Sequence, residues 1–196
     1  MEVLDENELV FQAKLLCRNF MYSRITREGL SWGKVEPFLP VTRGCVGEAS
    51  LVLLKLGDEL ENMRPHVYRN VAKQLSISLA AEGVVSNAFL FVATDILSLG
   101  ITWGKVAAVF AVAGGLAVDC VKQDRPGVVH TIEESLGEFT RKILVPWLRR
   151  RGGWSDILEC VRSIKSPPQP HWLSSMVTTW KHFMKTIYIY LMKCGL

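Results

Sequence analysis

The sequence has no CxxC pair, no stretch where apolar and polar residues alternate over a strand's length, and none of the spacings that mark a catalytic centre. Its five cysteines, at 17, 45, 120, 160 and 194, are odd in number and far apart, which points to a reducing cytosol and indicates neither a disulfide framework nor a zinc site. The histidines His66, His130, His171 and His182 are scattered, with no HExxH and no nucleophile elbow, and each is expected on the surface or in packing. Gly100 to Lys105 has the glycine and lysine of a phosphate loop, but the spacing is one residue short and Val106 stands where a Ser or Thr would hold magnesium. Glu133-Glu134 is expected as a solvated helix face. Met1 to Asp5 lacks the basic stretch and apolar run of a secretory signal and is too acidic for a mitochondrial transit peptide, so a cytosol-facing protein is expected. No catalysis, cofactor or metal is expected.

What is present is apolar and helical. The 196 residues, 49% hydrophobic and 21% charged, suffice for one domain with a substantial core and a short appendage. The net charge of +4 hides an asymmetry, because residues 141–196 carry 10 basic and only 2 acidic side chains. Such a block beside an apolar tail suits an anionic membrane surface, where each Lys or Arg is worth roughly 1 kcal/mol. The basic residues are dispersed and carry no nucleic-acid-binding signature, so no nucleic acid is expected.

The periodicity predicts an all-α protein. A first helix is expected over about Glu6 to Arg27, stopped near Gly29, followed by a Pro- and Gly-containing connector from Ser31 to Gly47. A second runs from about Val46 to Met63, and a third begins with Pro65 in its first turn and reaches Leu79. Gly83 interrupts before Ser86 caps a fourth, and Thr102 caps a fifth that runs to Val121. Pro126 starts the next helix and Pro146 ends it. The expected units are a bundle over 1–165, a Pro-rich linker over 166–171 and a membrane-associated tail over 172–196.

Three segments stand out. In the second helix Ala49, Leu53, Leu56 and Leu60 recur at intervals of four, three and four, one apolar stripe. Gly57 lies on the same side and permits close approach of a partner, and Asp58 and Glu59 follow at the rim. Such a stripe either packs a core or fills a partner's groove. Trp103-Gly104-Lys105 opens the long apolar helix, and Gly152-Gly153-Trp154 follows three arginines. A Leu-xxx-Gly-Asp-Glu helix, then Trp-Gly-Lys, then Arg-Gly-Gly-Trp resembles the third, first and second homology motifs of the Bcl family of apoptosis regulators. The runs Arg64 to Leu75, Ala117 to Val121 and Gly137 to Lys142 carry a closer resemblance to its Bax- and Bak-like effector branch.

The resemblance implies a Bcl-type helical bundle with a central apolar hairpin surrounded by amphipathic helices, plus a C-terminal tail helix. It implies a pro-apoptotic effector that exposes the helix bearing Leu53 to Leu60, self-associates, and permeabilises the mitochondrial outer membrane, with the endoplasmic reticulum membrane as a second target. The alternative within the family is a survival-promoting relative that sequesters the plug helices of other members. Partners are other Bcl-family proteins through helix-in-groove contacts, further copies of the chain, and membrane lipid. Trp103, Gly104, Lys105, Gly152, Gly153 and Trp154 belong to the groove, with Lys105 the cation that would pair with the plug aspartate.

Most relatives have Asn-Trp-Gly-Arg at the first motif, and lysine lacks arginine's bidentate fork. Ala49 is smaller than usual at its position. Both departures imply less reliance on ligand capture. Val106 to Val118 is 13 residues without a charge, about 20 Å of helix against a ~30 Å hydrocarbon layer, so this helix is expected at the bundle centre at rest. Gly114-Gly115 within it either eases remodelling or permits close packing. In the tail, Lys181 and Lys185 interrupt an apolar stripe, leaving spanning, lying in the interface, and folding into the groove all open.

Overall fold

The computed structural model describes residues 4–32 and 44–159. Helix α1, Glu6–Arg27, begins where Asp5 accepts a 3.3 Å hydrogen bond from the Glu8 amide, carries Glu6 and Glu8 in its first turn and Arg24 and Arg27 in its last, and is followed by Gly29 at φ +71°. Helix α2 spans Cys45–Met63, α3 is the single turn Val71–Gln74, and α4 spans Glu82–Leu97. Helix α5, Trp103–Lys122, is capped as expected by Thr102, whose hydroxyl accepts from the Lys105 amide. Helix α6, Val128–Phe139, passes through a π-helical turn, Thr140–Leu144, into α7, Val145–Arg151. Among the described residues the fold is helical throughout.

Three boundaries differ from the sequence reading. Pro65 does not open a long third helix. The chain turns through residues 65–70, reaches the left-handed conformation at Asn70 (φ +51°), and forms only the α3 turn, whose Ala72 amide donates to the buried Asp119 carboxylate at 2.9 Å. A tertiary acceptor has thus overridden local propensity. Ser86 caps nothing; α4 starts at Glu82, and the Ser86 hydroxyl lies 2.7 Å from that of Ser135 on α6. Pro146 does not end its helix either. A proline in an α-helix clashes with the carbonyl four residues back, and the wider π turn immediately before it absorbs the misfit, leaving Pro146 in the first turn of α7.

The core forms around α5, which packs against α1, α2, α3, α4 and α6. Its residues from Trp103 to Cys120, apart from Gly104, are buried on every face, as the charge-free run required. The helix is longer than that run: its 20 residues make it the one described helix long and apolar enough to cross a membrane, and here it is inside the protein instead. Its hairpin partner α6 buries one face, with Val129, Ile132 and Leu136 inward.

Candidate functional site

The stripe of α2 faces inward. Ala49, Leu53, Gly57 and Leu60 are buried in the chain's own core, and Leu56, expected among them, is only half-buried. The stripe therefore advances by four, four and three, with the glycine as its third member. A Cβ on Gly57 would stand 2.5 Å from Phe20 Cζ and 2.7 Å from Arg24 Nη2, so the place of its missing side chain is filled by α1. Glu59 is exposed.

At rest Asp58 is engaged within its own chain. Its Oδ1 accepts from Arg24 Nη1 at 2.5 Å and from Arg27 Nη1 at 2.7 Å, both on α1. Glu61, one turn further, lies 2.7 Å from Arg24 Nε and also pairs with Arg27. The result is a four-charge clamp holding the plug helix to α1, with Arg24 stacked 4.5 Å from the Phe20 ring centroid. Phe20 belongs to the apolar stripe expected for α1, but Arg24, Arg27 and Glu61 were not singled out from the sequence. Their signal was available: two arginines three apart on one helix and two carboxylates three apart on another are complementary sets on single faces.

Lys105 is buried, and its ammonium donates to the Gly100 carbonyl at 2.9 Å. Burial lowers its pKa from the ordinary lysine value. The expected rim cation is thus engaged at rest. Trp103 and Trp154 are in ring contact in the resting bundle. Trp103 packs edge-on to Trp147 at 4.8 Å and tilted to Trp154 at 5.8 Å, and its indole N–H donates to Asp156 at 2.7 Å. Gly152 and Gly153 both have φ near +90°, a conformation that side chains disfavour, and this double left-handed turn sends Trp154 back onto Phe110 at 5.9 Å. There its N–H reaches the Leu9 carbonyl at 3.0 Å. Gly104 is half-buried at the start of α5.

Gly114 and Gly115 serve close packing. A Cβ on Gly114 would meet Arg24 Cγ at 2.9 Å and Phe20 Cε1 at 3.0 Å, while one on Gly115 would meet the Tyr68 carbonyl at 2.6 Å. Glu133 is not solvated as expected: it is buried and accepts two hydrogen bonds from Arg18, at 2.8 and 3.1 Å, which raise the arginine pKa further. Glu134 pairs with Lys14 at 2.5 Å, which lowers its pKa, and His130 is exposed beside both carboxylates. Lys181, Lys185, the Pro-rich linker and the tail lie outside the described residues, as does most of the Ser31 to Gly47 connector.

A bundle wrapped around one apolar helix, with a Leu-xxx-Gly-Asp-Glu helix and two tryptophan motifs against it, defines a class. The model of the apoptosis regulator proteins of the Bcl-2 family matches residues 53–154, and the chain belongs to that family. It is similar to Bcl-2-related ovarian killer protein homolog B of Danio rerio, 64% identical over 188 residues that cover 96% of this chain and 89% of the relative. The crystal structure of chicken BOK superposes with a TM-score of 0.71 at 56% identity, covering 80% of this chain and 97% of that one. A more distant structure, Trichoplax adhaerens trBcl-2L2 bound to trBak BH3, shares the fold with a TM-score of 0.67 at 21% identity, covering 78% and 98% of the two chains.

Proposed function

We propose that this apoptosis regulator is an effector that opens, exposes α2, pairs with further copies, and permeabilises membrane. The observation that carries this reading is the burial of the α2 stripe in the chain's own core under the Arg24 and Arg27 clamp. A binding face held inside its own bundle becomes available only when α1 and α2 separate, so the resting fold is a restrained state and association follows opening. Helix α5 gives the opened chain a segment of about 30 Å, the thickness of a hydrocarbon layer. In this reading the targets are the cytosolic faces of the mitochondrial outer membrane and the endoplasmic reticulum, and the basic C-terminal quarter draws the chain to anionic lipid. Other family members dock by the helix-in-groove mode; the Trichoplax protein trBcl-2L2, which shares the fold, is bound to trBak BH3.

Dye release from liposomes of mitochondrial-like lipid tests the proposal. The protein is added alone and then with an activating plug-helix peptide. Release in either condition is the expected result, and its timing separates intrinsic from ligand-gated opening. No release together with protection of the liposomes against Bax would replace the effector with the survival-promoting reading.

A further inference from the structure

A cleft of about 600 Å³, lined by none of the tryptophan-motif residues, lies between the ends of α1, α2 and α5 and the connector before α3. Clefts of about 300–1,000 Å³ are the usual size for small-molecule ligands. This one is lined by four cations, Arg24, Arg27, Arg69 and Lys122, and by the carboxylates Glu28, Glu61 and Asp119. The carboxylates do not neutralise it evenly. Glu28 is taken by Lys122 at 2.7 Å, and Glu61 by Arg24 and Arg27. Asp119 is turned to the Ala72 amide, which occupies its carboxylate, while burial raises its pKa.

Arg69 acts on Glu28 through its charge without forming a contact ion pair. It is exposed, lies on the connector beyond the end of α2, and makes no ion pair among the described residues. Arg27 and Lys122 stand in the last turns of their helices, about half-exposed and within reach of an incoming group. Gly114 and Gly115 line the cleft from α5, where their lack of side chains lets Arg24 and the Tyr68 backbone, which also line it, pack directly against the helix. Multiple guanidinium forks around a polar hollow of this size match the several acceptor oxygens of a phosphate.

We propose that the cleft binds a phosphate-bearing anion through Arg27, Arg69 and Lys122, and that the bound anion draws Arg27 away from Asp58 and Glu61 of the plug helix. The binding stands on the cleft alone; its consequence, a loosened α2, rests on the effector reading above. Arg27 is the coupling element because it belongs to both the cleft and the clamp. Arg24 is buried with Nη2 lacking a hydrogen-bond partner among the described residues, so losing its neighbour's help leaves an under-satisfied guanidinium holding α2 by itself.

The test uses the full chain, isotope-labelled, with inorganic pyrophosphate as the soluble probe and phosphatidylcholine vesicles with or without phosphatidic acid as the lipid probe. The expected result is a saturable shift of the Gly114 and Gly115 amide resonances, with affinity roughly ten-fold weaker in R69A. Response to pyrophosphate assigns a soluble phosphate. Response only to phosphatidic acid vesicles, with the same R69A sensitivity, assigns a lipid headgroup; vesicle binding that R69A leaves unchanged arises from the basic C-terminal quarter and counts against the cleft. No shift of these resonances with either probe overturns the site. Hydrogen exchange at the amides of Leu53 to Leu60 then reads the coupling: several-fold faster exchange with anion bound is expected, and unchanged exchange with binding intact overturns the coupling. Because neither readout involves permeabilisation, failure of the cleft and failure of the effector reading are separable.

Discussion

Arg24 Nη1 and Asp58 Oδ1 lie 2.5 Å apart across the α1–α2 interface, the guanidinium buried and the carboxylate nearly half-exposed. The same guanidinium lies against Gly57, so charge and shape complementarity meet at one residue. Removing Arg24 strips both Asp58 and Glu61 of a partner. R24A is expected to lower stability by about 1–3 kcal/mol, below the range for a fully buried pair because Asp58 is partly hydrated. Urea unfolding measures this, and liposome leakage without peptide should quicken in parallel. A variant as stable and as quiet as the parent would mean that the clamp does not restrain α2.

Gly57→Ala tests shape without charge. The added methyl gains about 1 kcal/mol of helix propensity but overlaps the Phe20 ring, and overpacking of a close-packed site costs about 1–3 kcal/mol. The overlap wins, so thermal unfolding should fall, and F20L should recover part of the loss in the double variant. Additive effects would show that the two residues do not compete for one space. Gly57→Glu adds bulk and charge at the same place and should abolish self-association after opening, read by cross-linking on liposomes.

How much of this was legible in the sequence depended on how local the cause is. Thr102 capping α5 and Gly29 following α1 involve neighbours in the chain, and both were readable. So was the burial of Val106 to Val118, which a charge-free run requires wherever it sits. The short α3 was not, because the Asp119 carboxylate that captures its amide is 47 residues away. Pro146 misled because a π turn, which leaves no mark in composition, accommodates it. Leu56 was placed on the stripe by spacing alone, although α2 turns toward the Phe20 ring and buries Gly57 instead. Asp58 pairs at rest with Arg24 and Arg27 on α1, and a partner-binding motif gives no hint of that resting partner.

The glycine pair in α5 separates by what each faces. Gly115→Ala drives a methyl toward the Tyr68 carbonyl at 2.6 Å, and backbone cannot rotate aside, whereas Gly114→Ala meets Arg24 Cγ and the Phe20 edge, side chains that can shift. Both variants gain helix propensity equally. G115A should therefore be the less stable by about 1–2 kcal/mol in urea unfolding, displacing the connector before α3. Equal stability of the two would mean that the connector yields as easily as a side chain.

Lys105 makes a pH-dependent prediction. Its folded pKa lies below the ordinary 10.5 because burial disfavours the ammonium, so over the interval between the two values the unfolded chain binds more protons than the folded one. Stability from this group must then rise as pH rises through that interval. Below the folded pKa the charged lysine is a net cost, offset by one hydrogen bond to the Gly100 carbonyl. Lys105→Met keeps the apolar stem and removes the buried charge, so at pH 7 it should gain about 1 kcal/mol, a rise of about 2–4 °C in Tm for a chain of this size. The parent should close that gap as the solution is made alkaline, while the variant shows no such rise. Parallel Tm profiles for the two proteins from pH 7 into the alkaline range would mean that Lys105 titrates as an exposed lysine does. In that case the ammonium is free at rest to meet an incoming aspartate, and the groove needs no opening to bind.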